Sequence, residues 1–264
     1  MKHLLPFPAA LAWVITAACC LADDKPRVLG DREFYTRGNF IAWAGPWSTD
    51  FGPGKEMKHG VDFADEIAFD PGTFPSKVEF SWHWPLKAPA HTGVYGYNAV
   101  SFGSYDGGLP EQAVTPRQIE AITALTETFR FTMARPIGEF NVLSELFLTT
   151  EPAGTKVGEV GFFLHASESA MTFAEAGEQL GDYLDAAGRS WKVAKQPAPH
   201  GPFYLFIPNG DVLEGTVDFK AALEFLRGKG HITGKEWFNG LAFGVEPVTG
   251  SGSMRLEKWE LTYE

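Results

Sequence analysis

Two glutamates in strand-like segments carry the side chains best suited to chemistry. Side chains alternate between the faces of a strand, so residues two apart share a face. In segment 157–164 the apolar positions leave Glu159 on the opposite face, and in segment 241–246 they leave Glu246 on the opposite face. Paired carboxyl groups can act as acid, base or nucleophile when a sheet holds them close together.

A glycine lies two residues from each of these glutamates, on the same face of the strand. Gly161 accompanies Glu159, and Gly244 accompanies Glu246. The missing side chains leave room for a group to lie against each carboxylate. The ordinary alternative is a solvent-facing glutamate with a glycine that marks a bulge. The pattern by itself favours this alternative.

The elements that would position these glutamates are mostly strands. Apolar runs are separated by clusters of Gly, Pro, Asp and Asn, which is typical of a sandwich or barrel. The predicted strands cover 78–84, 94–103, 127–134, 140–149, 157–166, 203–207, 237–246 and 254–263.

One helix is predicted over 217–227. Its apolar residues recur at helical spacing, and Gly228 follows as a stop signal. A single amphipathic helix in an all-β chain is expected to pack outside a sheet. The sequence therefore predicts an all-β fold, with one domain over 23–264 that forms a two-sheet antiparallel sandwich.

Composition narrows the class of partner. The chain has 264 residues, of which 44% are hydrophobic and 14% aromatic, and a net charge of −11. This negative net charge argues against nucleic acid and anionic membranes as partners, because phosphate binding needs clustered Lys and Arg. An acidic chain rich in Trp, Phe and Gly suits a neutral ligand with flat apolar faces, such as a sugar polymer.

The histidines and the short motifs indicate neither a metal site nor a cofactor. No histidine outside the first 22 residues has the spacing of a metal ligand or a companion cysteine. A phosphate-binding glycine loop and a Gly-x-Ser-x-Gly elbow are both missing from the sequence. We therefore expect no cofactor and no metal.

Residues 1–22 have the pattern of a signal peptide. A basic start precedes a short apolar run, which closes on Leu21-Ala22. Cleavage after Ala22 would export a chain that starts at Asp23 and has no cysteine, because Cys19 and Cys20 both lie in the leader. The alternative is a lipoprotein anchored at Cys19, although a large aliphatic residue is missing three positions before it.

The surroundings of Glu246 resemble a known family of enzymes. Segment 243–254, FGVEPVTGSGSM, resembles the acid/base segment of glycoside hydrolase family 12, which comprises small jelly-roll endoglucanases and xyloglucanases. The order of a helix, a Gly-rich connection and this strand is also that of the family. Upstream, segments 82–84 (WHW), 94–98 (VYGYN), 141–147 (NVLSELF) and 159–163 (EVGFF) are similar to further family strands, in the family order.

The resemblance implies roles for three carboxyl groups in a retaining double displacement. Glu159 falls at the position of the nucleophile and Glu246 at that of the acid/base. Glu145 falls at the third acidic residue, where it would hydrogen-bond the nucleophile; an ordinary strand glutamate is the equal alternative. Retention needs the two catalytic carboxyl groups about 5–5.5 Å apart, which we expect from adjacent strands of one concave sheet.

Aromatic side chains are the candidate sugar platforms. Trp43, Trp82, Trp84 and Tyr97 are expected to stack on sugar rings, and packing in the core is the alternative for each tryptophan. Phe163 is a further candidate, because it replaces a family tryptophan just as Gly161 replaces a family methionine. These replacements bear on substrate preference rather than on the reaction type.

The sequence as a whole predicts a secreted, monomeric endo-β-1,4-glucanase with cellulose, mixed-linkage glucan or xyloglucan as its partner. No membrane contact is expected beyond the lipid anchor of the lipoprotein alternative. A non-catalytic glucan-binding jelly roll is the alternative from another class, and a related jelly-roll xylanase is a third hypothesis.

Overall fold

A computed structural model describes residues 25–50, 55–90, 93–105 and 114–264. The predicted leader, with Cys19, Cys20 and the proposed cleavage site, lies outside the described residues. Within the described ranges, no helix has the length and apolar character needed to cross a membrane.

Sixteen strands and two α-helices make up the regular structure of the described residues. The strands are β1 (Arg27–Gly30), β2 (Phe34–Arg37), β3 (Phe40–Trp43), β4 (Ala64–Phe69), β5 (Val78–His83), β6 (Asn98–Gly103), β7 (Arg117–Gln118), β8 (Leu125–Ile137), β9 (Phe140–Thr149), β10 (Lys156–His165), β11 (Glu178–Leu184), β12 (Ser190–Gln196), β13 (Phe203–Pro208), β14 (Glu214–Asp218), β15 (Trp237–Pro247) and β16 (Ser251–Tyr263). The helices are α1 (Glu168–Glu175) and α2 (Phe219–Gly228), and a single 3₁₀ turn covers Ile119–Ala121.

These strands form two sheets, which confirms the predicted sandwich. The six-stranded sheet has the order β1-β4-β5-β16-β8-β14. The larger sheet has the order β11-β12-β13-β10-β9-β15-β6-β3-β2, and β7 pairs with β15. The pairs are antiparallel except for β10 with β13, which run parallel.

The alternation along β9 shows how the large sheet is sided. Leu146 and Leu148 face the six-stranded sheet and join the main hydrophobic core. Leu143 and Phe147 face away from that sheet and belong to a second, smaller apolar cluster. We call this second side the cleft face. Both sides of β9 are almost wholly buried, so the cleft face is itself covered by side chains.

Helix α2 lies outside the two sheets, as predicted, and packs its apolar face against the large sheet; it begins two residues later than its apolar stripe suggested. Val217 still belongs to β14, where it pairs with Glu127. The Asp218 carboxylate then caps the helix by accepting a hydrogen bond from the backbone N–H of Ala221 at 2.9 Å. The ring of Phe219 packs on that of Phe162 in the core, with 5.1 Å between centroids.

Trp82 and Trp84 lie in the core between the sheets, and their prediction as sugar platforms is wrong. Trp84 is 2% exposed and stacks between Phe63 and Tyr95, at centroid distances of 4.2 and 4.5 Å. Trp82 is 3% exposed and packs on the ring of Phe140. Both side chains extend from the core face of the six-stranded sheet, so their shared face is a packing stripe.

A carboxyl group is also buried in this core. Glu127 on β8 accepts hydrogen bonds through Oε2 from the Ser144 hydroxyl at 2.9 Å and from the Trp259 indole N–H at 2.8 Å. Its Oε1 atom is buried with no hydrogen-bond partner in the protein. Burial therefore raises the pKa of Glu127 to about 7, against the two donors, which lower it.

Replacing Trp84 with alanine should destabilise the protein by about 3–5 kcal/mol, because a fully packed aromatic ring is lost from the core. Urea unfolding measures this loss. The matched control is Trp47→Ala, which should change the unfolding free energy little because Trp47 is 44% exposed. A Trp84→Ala protein with native stability would contradict the packing.

Replacing Glu127 with glutamine should flatten the pH dependence of stability. The folded pKa of about 7 exceeds the unfolded value of 4.5, so the native state holds the proton longer and stability falls as pH rises from about 4.5 through 7. Glutamine cannot ionise, so the loss of unfolding free energy between pH 4.5 and pH 8 should shrink by up to about 3 kcal/mol. Urea unfolding at both pH values measures this, with exposed Glu260→Gln as the control; an unchanged pH dependence of Glu127→Gln would contradict the assignment.

Candidate active site

Three glutamates point from three neighbouring strands onto the cleft face. Glu159 extends from β10, Glu145 from β9 and Glu246 from β15. Strands β10 and β15 each pair with β9, so Glu159 and Glu246 are not on adjacent strands. The prediction that their strands are adjacent is therefore wrong. Glu145 lies between them, opposite Gly161 on one side and Ala242 on the other.

Glu246 is held by an amide that also positions a helix. The Asn141 Nδ2 donates a hydrogen bond to Glu246 Oε2 at 3.1 Å, and the Asn141 Oδ1 accepts one from the backbone N–H of Ser167 at 2.9 Å. Ser167 caps helix α1 by accepting from the backbone N–H of Ala170. The side chain of Asn141 therefore fixes the glutamate and the start of α1 together.

Burial favours the protonated form of Glu246. It raises the pKa of this carboxyl group to about 7; the hydrogen bond from Asn141 lowers the pKa, and the charge of Glu159 raises it further. A carboxyl group with this pKa is about half protonated at pH 7, so it can donate a proton.

Glu145 is the most deeply buried of the three carboxyl groups, with 4% of its surface exposed. Burial raises its pKa well above the ordinary value, and the charge of Glu159 and a hydrogen bond to Glu159 act in the same direction. Like charges confined in a buried site cannot all ionise together. Glu145 is therefore placed to keep its proton and donate it in a hydrogen bond to Glu159.

Glu159 forms an ion pair with Lys156. The Lys156 ammonium lies 2.5 Å from Glu159 Oε2, and both side chains are largely shielded from solvent. The same ammonium lies over the ring of Phe147, 3.6 Å from its centroid.

The glutamates line a cleft of about 410 Å³. Six aromatic residues line it as well, and of these only Phe163 was predicted from the sequence. The other five are Trp47, Tyr105, Phe147, Phe173 and Phe203. Helix α1 contributes Phe173 and forms part of the wall. Alternation could have indicated Phe147, two residues from Glu145, but short loop and helix segments carried no comparable signal.

The two glycines beside the glutamates do not open space for a ligand. A side chain at Gly161 would meet the ring of Phe203, at 2.9 Å from its Cβ. A side chain at Gly244 would meet the backbone of the neighbouring strand, at 2.2 Å from the Asn98 carbonyl oxygen. An aromatic ring fills the first space and a close approach of strand β6 fills the second.

The remaining predicted platforms differ in their placement. Phe163 lines the cleft and is almost fully buried, so it forms floor. Trp43 is half-buried on β3, two strands beyond β15 in the same sheet, and lies outside the lining of the cleft. Tyr97 is fully buried and its hydroxyl donates to the Leu143 carbonyl at 3.1 Å, so its prediction as a sugar platform is wrong.

Glycines in the segment after Glu246 have structural reasons. Gly250 lies between β15 and β16 with a φ of +76°, and a side chain there would meet the Ile137 carbonyl oxygen. A side chain at Gly252 would meet the ring of Trp82. Gly250 therefore allows the turn between β15 and β16, and Gly252 leaves room for the Trp82 ring in the core.

No protein-family model matches the chain, and no protein of curated function matches it either. Solved structures do match. A native family 12 xyloglucanase from Bacillus licheniformis has a TM-score of 0.71 and 16% identity, with 90% of this chain and 100% of that chain covered. Endoglucanase 3 of Trichoderma harzianum, from family GH12, has a TM-score of 0.69 and 18% identity, with 92% and 100% covered.

A third similar structure contains a sugar. The catalytic domain of Humicola grisea Cel12A, in complex with a soaked thio cellotetraose, has a TM-score of 0.70 and 18% identity, with 90% of this chain and 99% of that chain covered. These likenesses show that the chain has the fold of the family 12 glycoside hydrolases.

Replacing Asn141 with alanine should raise the pKa of Glu246 above its value of about 7. The amide N–H stabilises the ionised carboxylate, so its loss favours the protonated form. The carbon NMR signal of the Glu246 carboxyl group, followed through a pH titration, measures the shift. Asn239→Ala is the matched control, because Asn239 is equally buried but bonds to Thr149 and Ala153. A titration midpoint of Glu246 that is unchanged or lower in Asn141→Ala would show that this hydrogen bond does not lower the Glu246 pKa.

Proposed function

We propose that the protein is a retaining endo-β-1,4-glucanase that cleaves internal bonds of β-glucan. The observation that carries this proposal is the group of three glutamates on the floor of one open cleft, on a fold shared with family 12 glycoside hydrolases. Cellulose, mixed-linkage glucan and xyloglucan are the candidate substrates.

Glu159 is the proposed nucleophile. Its side chain is paired with a cation, which favours the ionised form that can attack the anomeric carbon of the sugar. Attack would form a covalent glycosyl-enzyme and release the leaving sugar.

Glu246 is the proposed acid and base. Its pKa of about 7 leaves about half of it protonated at pH 7, so it can deliver a proton to the departing glycosidic oxygen. Once deprotonated, it would take a proton from the water that hydrolyses the intermediate. A carboxyl group whose pKa is raised by burial is suited to this exchange of roles.

Glu145 is the proposed positioning residue between them. Its hydrogen bond to Glu159 would hold the nucleophile at one angle, and its own proton would avoid a third negative charge in the cleft. No step requires Glu145 to contact the sugar.

The aromatic lining supports a polymer of neutral sugars as the substrate. Trp47 on one loop and Phe173 on α1 present exposed rings to the cleft, and aromatic faces pack well on the apolar faces of sugar rings. Trp43, on the same sheet, is proposed to stack on a sugar ring of the polymer that lies farther from the glutamates. Export through the predicted leader would bring the enzyme to such a polymer.

Replacing either glutamate with alanine should abolish turnover of soluble β-glucan, but in different ways. Glu159→Ala lacks the covalent route and should fail on every substrate, including activated aryl glycosides. Glu246→Ala should still react with an aryl glycoside that has a good leaving group, and then stall for want of a base. Azide needs no base, so it should rescue Glu246→Ala and give a β-glycosyl azide, whereas with Glu159→Ala it should give the α-azide.

Reducing-sugar release and NMR of the azide products provide the measurements, with Glu139→Ala as the control glutamate outside the lining of the cleft. Reversed azide anomers would exchange the two assignments. A wild-type protein that is retarded in β-glucan gels but releases no reducing sugar would replace the enzyme with a glucan-binding protein, and release from xylan alone would indicate a xylanase.

A further inference from the structure

Lys156 reaches the cleft because of an irregularity in strand β10. Residues 156 and 159 are three apart, so a regular strand would place their side chains on opposite faces. Lys156 pairs with Thr149 and Gly158 pairs with Leu148, so β10 uses two residues where β9 uses one. This β-bulge reverses the alternation and brings the Lys156 side chain onto the face of Glu159.

The lysine is held there by two contacts that are independent of the bulge. Its ammonium lies 2.5 Å from Glu159 Oε2 and 3.6 Å from the centroid of the Phe147 ring. Phe147 is also the residue that pairs with Glu159 across the two strands. The ammonium is thus fixed between a carboxylate and the face of an aromatic ring, an arrangement that favours a cation.

Two other carboxyl groups and one cation face Glu159 across the cleft. Glu145 on β9 and Glu246 on β15 both interact with its charge, and Lys156 is the cation among the described cleft-lining residues. Tyr105 also lines the cleft, and the Tyr97 hydroxyl, whose pKa burial raises well above its ordinary value, lies beneath the floor. Glu145 and Glu159 share a hydrogen bond, so one negative charge could reside on either of them.

We propose that Lys156 is a positioning residue that places the negative charge of the glutamate cluster on Glu159 rather than on Glu145. This inference rests on the proposed function, because it concerns the ionisation of the proposed nucleophile. Burial already favours the proton on Glu145, and the ammonium adds to this preference because it stabilises the charge on Glu159. With it, the charge stays on the carboxylate that attacks, and Glu145 keeps the proton of the shared hydrogen bond. The same charge on Lys156 lowers the pKa of Glu145, so the effect depends on its closer contact with Glu159.

The test compares Lys156→Met, Lys156→Gln and Lys156→Arg with the wild type. Carbon NMR of the glutamate carboxyl groups, titrated with pH and assigned with Glu159→Gln and Glu145→Gln, reports where the first charge resides. The wild type should show that charge on Glu159. Methionine and glutamine should each transfer part of the charge from Glu159 to Glu145, while arginine should restore the wild-type distribution.

The activity profile gives the second readout. The acid limb of kcat/KM on a soluble β-glucan should move to higher pH in Lys156→Met and Lys156→Gln, with about a tenfold loss at the acid end, and return in Lys156→Arg. Lys195→Met is the matched control, because Lys195 also loses an ion pair, with Glu178 at 3.0 Å, but lies outside the lining of the cleft. It should change neither readout.

The two claims fail separately. Unchanged carboxyl titrations in folded Lys156→Met and Lys156→Gln would overturn the placement of the charge, whatever the activity. If the carboxyl titrations change in these variants but the acid limb of kcat/KM does not, the role of the lysine in the reaction would be overturned. A wild type that shows the expected titrations but cleaves no glucan would overturn the proposed function and leave the placement of the charge supported.

Discussion

The negative charge of three glutamates on one buried face is the constraint around which the cleft is built. Burial raises the pKa of Glu246 to about 7 and that of Glu145 far above its ordinary value, and Glu159 interacts with both. Taking a carboxylate out of water is costly unless it is paired or protonated. The cleft uses both solutions, because Lys156 pairs with Glu159 while burial favours the protonated forms of Glu145 and Glu246.

The two sheets hold this arrangement through ordinary packing. Strand β9 carries Glu145 on its cleft face and Leu146 in the core, so each residue of the floor is anchored by a neighbour that the six-stranded sheet buries. A second buried carboxyl group, Glu127, bonds to Ser144 on the core side of the same strand. Asn141 bonds both Glu246 of β15 and the backbone of Ser167 at the start of α1, and thereby ties the wall of the cleft to its floor. The geometry of the glutamates therefore depends on the core as much as on the cleft.

Much of this could be predicted from the alternation of side chains. It predicted a two-sheet sandwich, the bounds of the strand over 140–149, and the shared face of Glu159 with Gly161. Alternation does not say which face of a strand lies in the core, so the shared face of Trp82 and Trp84 fits a sugar-binding stripe as well as it fits the core packing that the structure shows. Local alternation also carries no information on the order of strands in a sheet. It therefore does not predict that β9 lies between the strands of the two proposed catalytic glutamates. The bulge that brings Lys156 into the cleft depends on the pairing of β10 with β9, which no local periodicity reports.

The most direct test of the account is the identity of the residue that carries a trapped sugar. A 2-deoxy-2-fluoro cellobioside with a good leaving group should react once and then stall, because fluorine slows both displacement steps and the leaving group restores only the first. Digestion and mass spectrometry of the trapped protein should place the added disaccharide on Glu159. Attachment to Glu145 or Glu246, or no covalent adduct in a protein that still cleaves β-glucan, would contradict the assignment of the nucleophile and with it the account of the cleft.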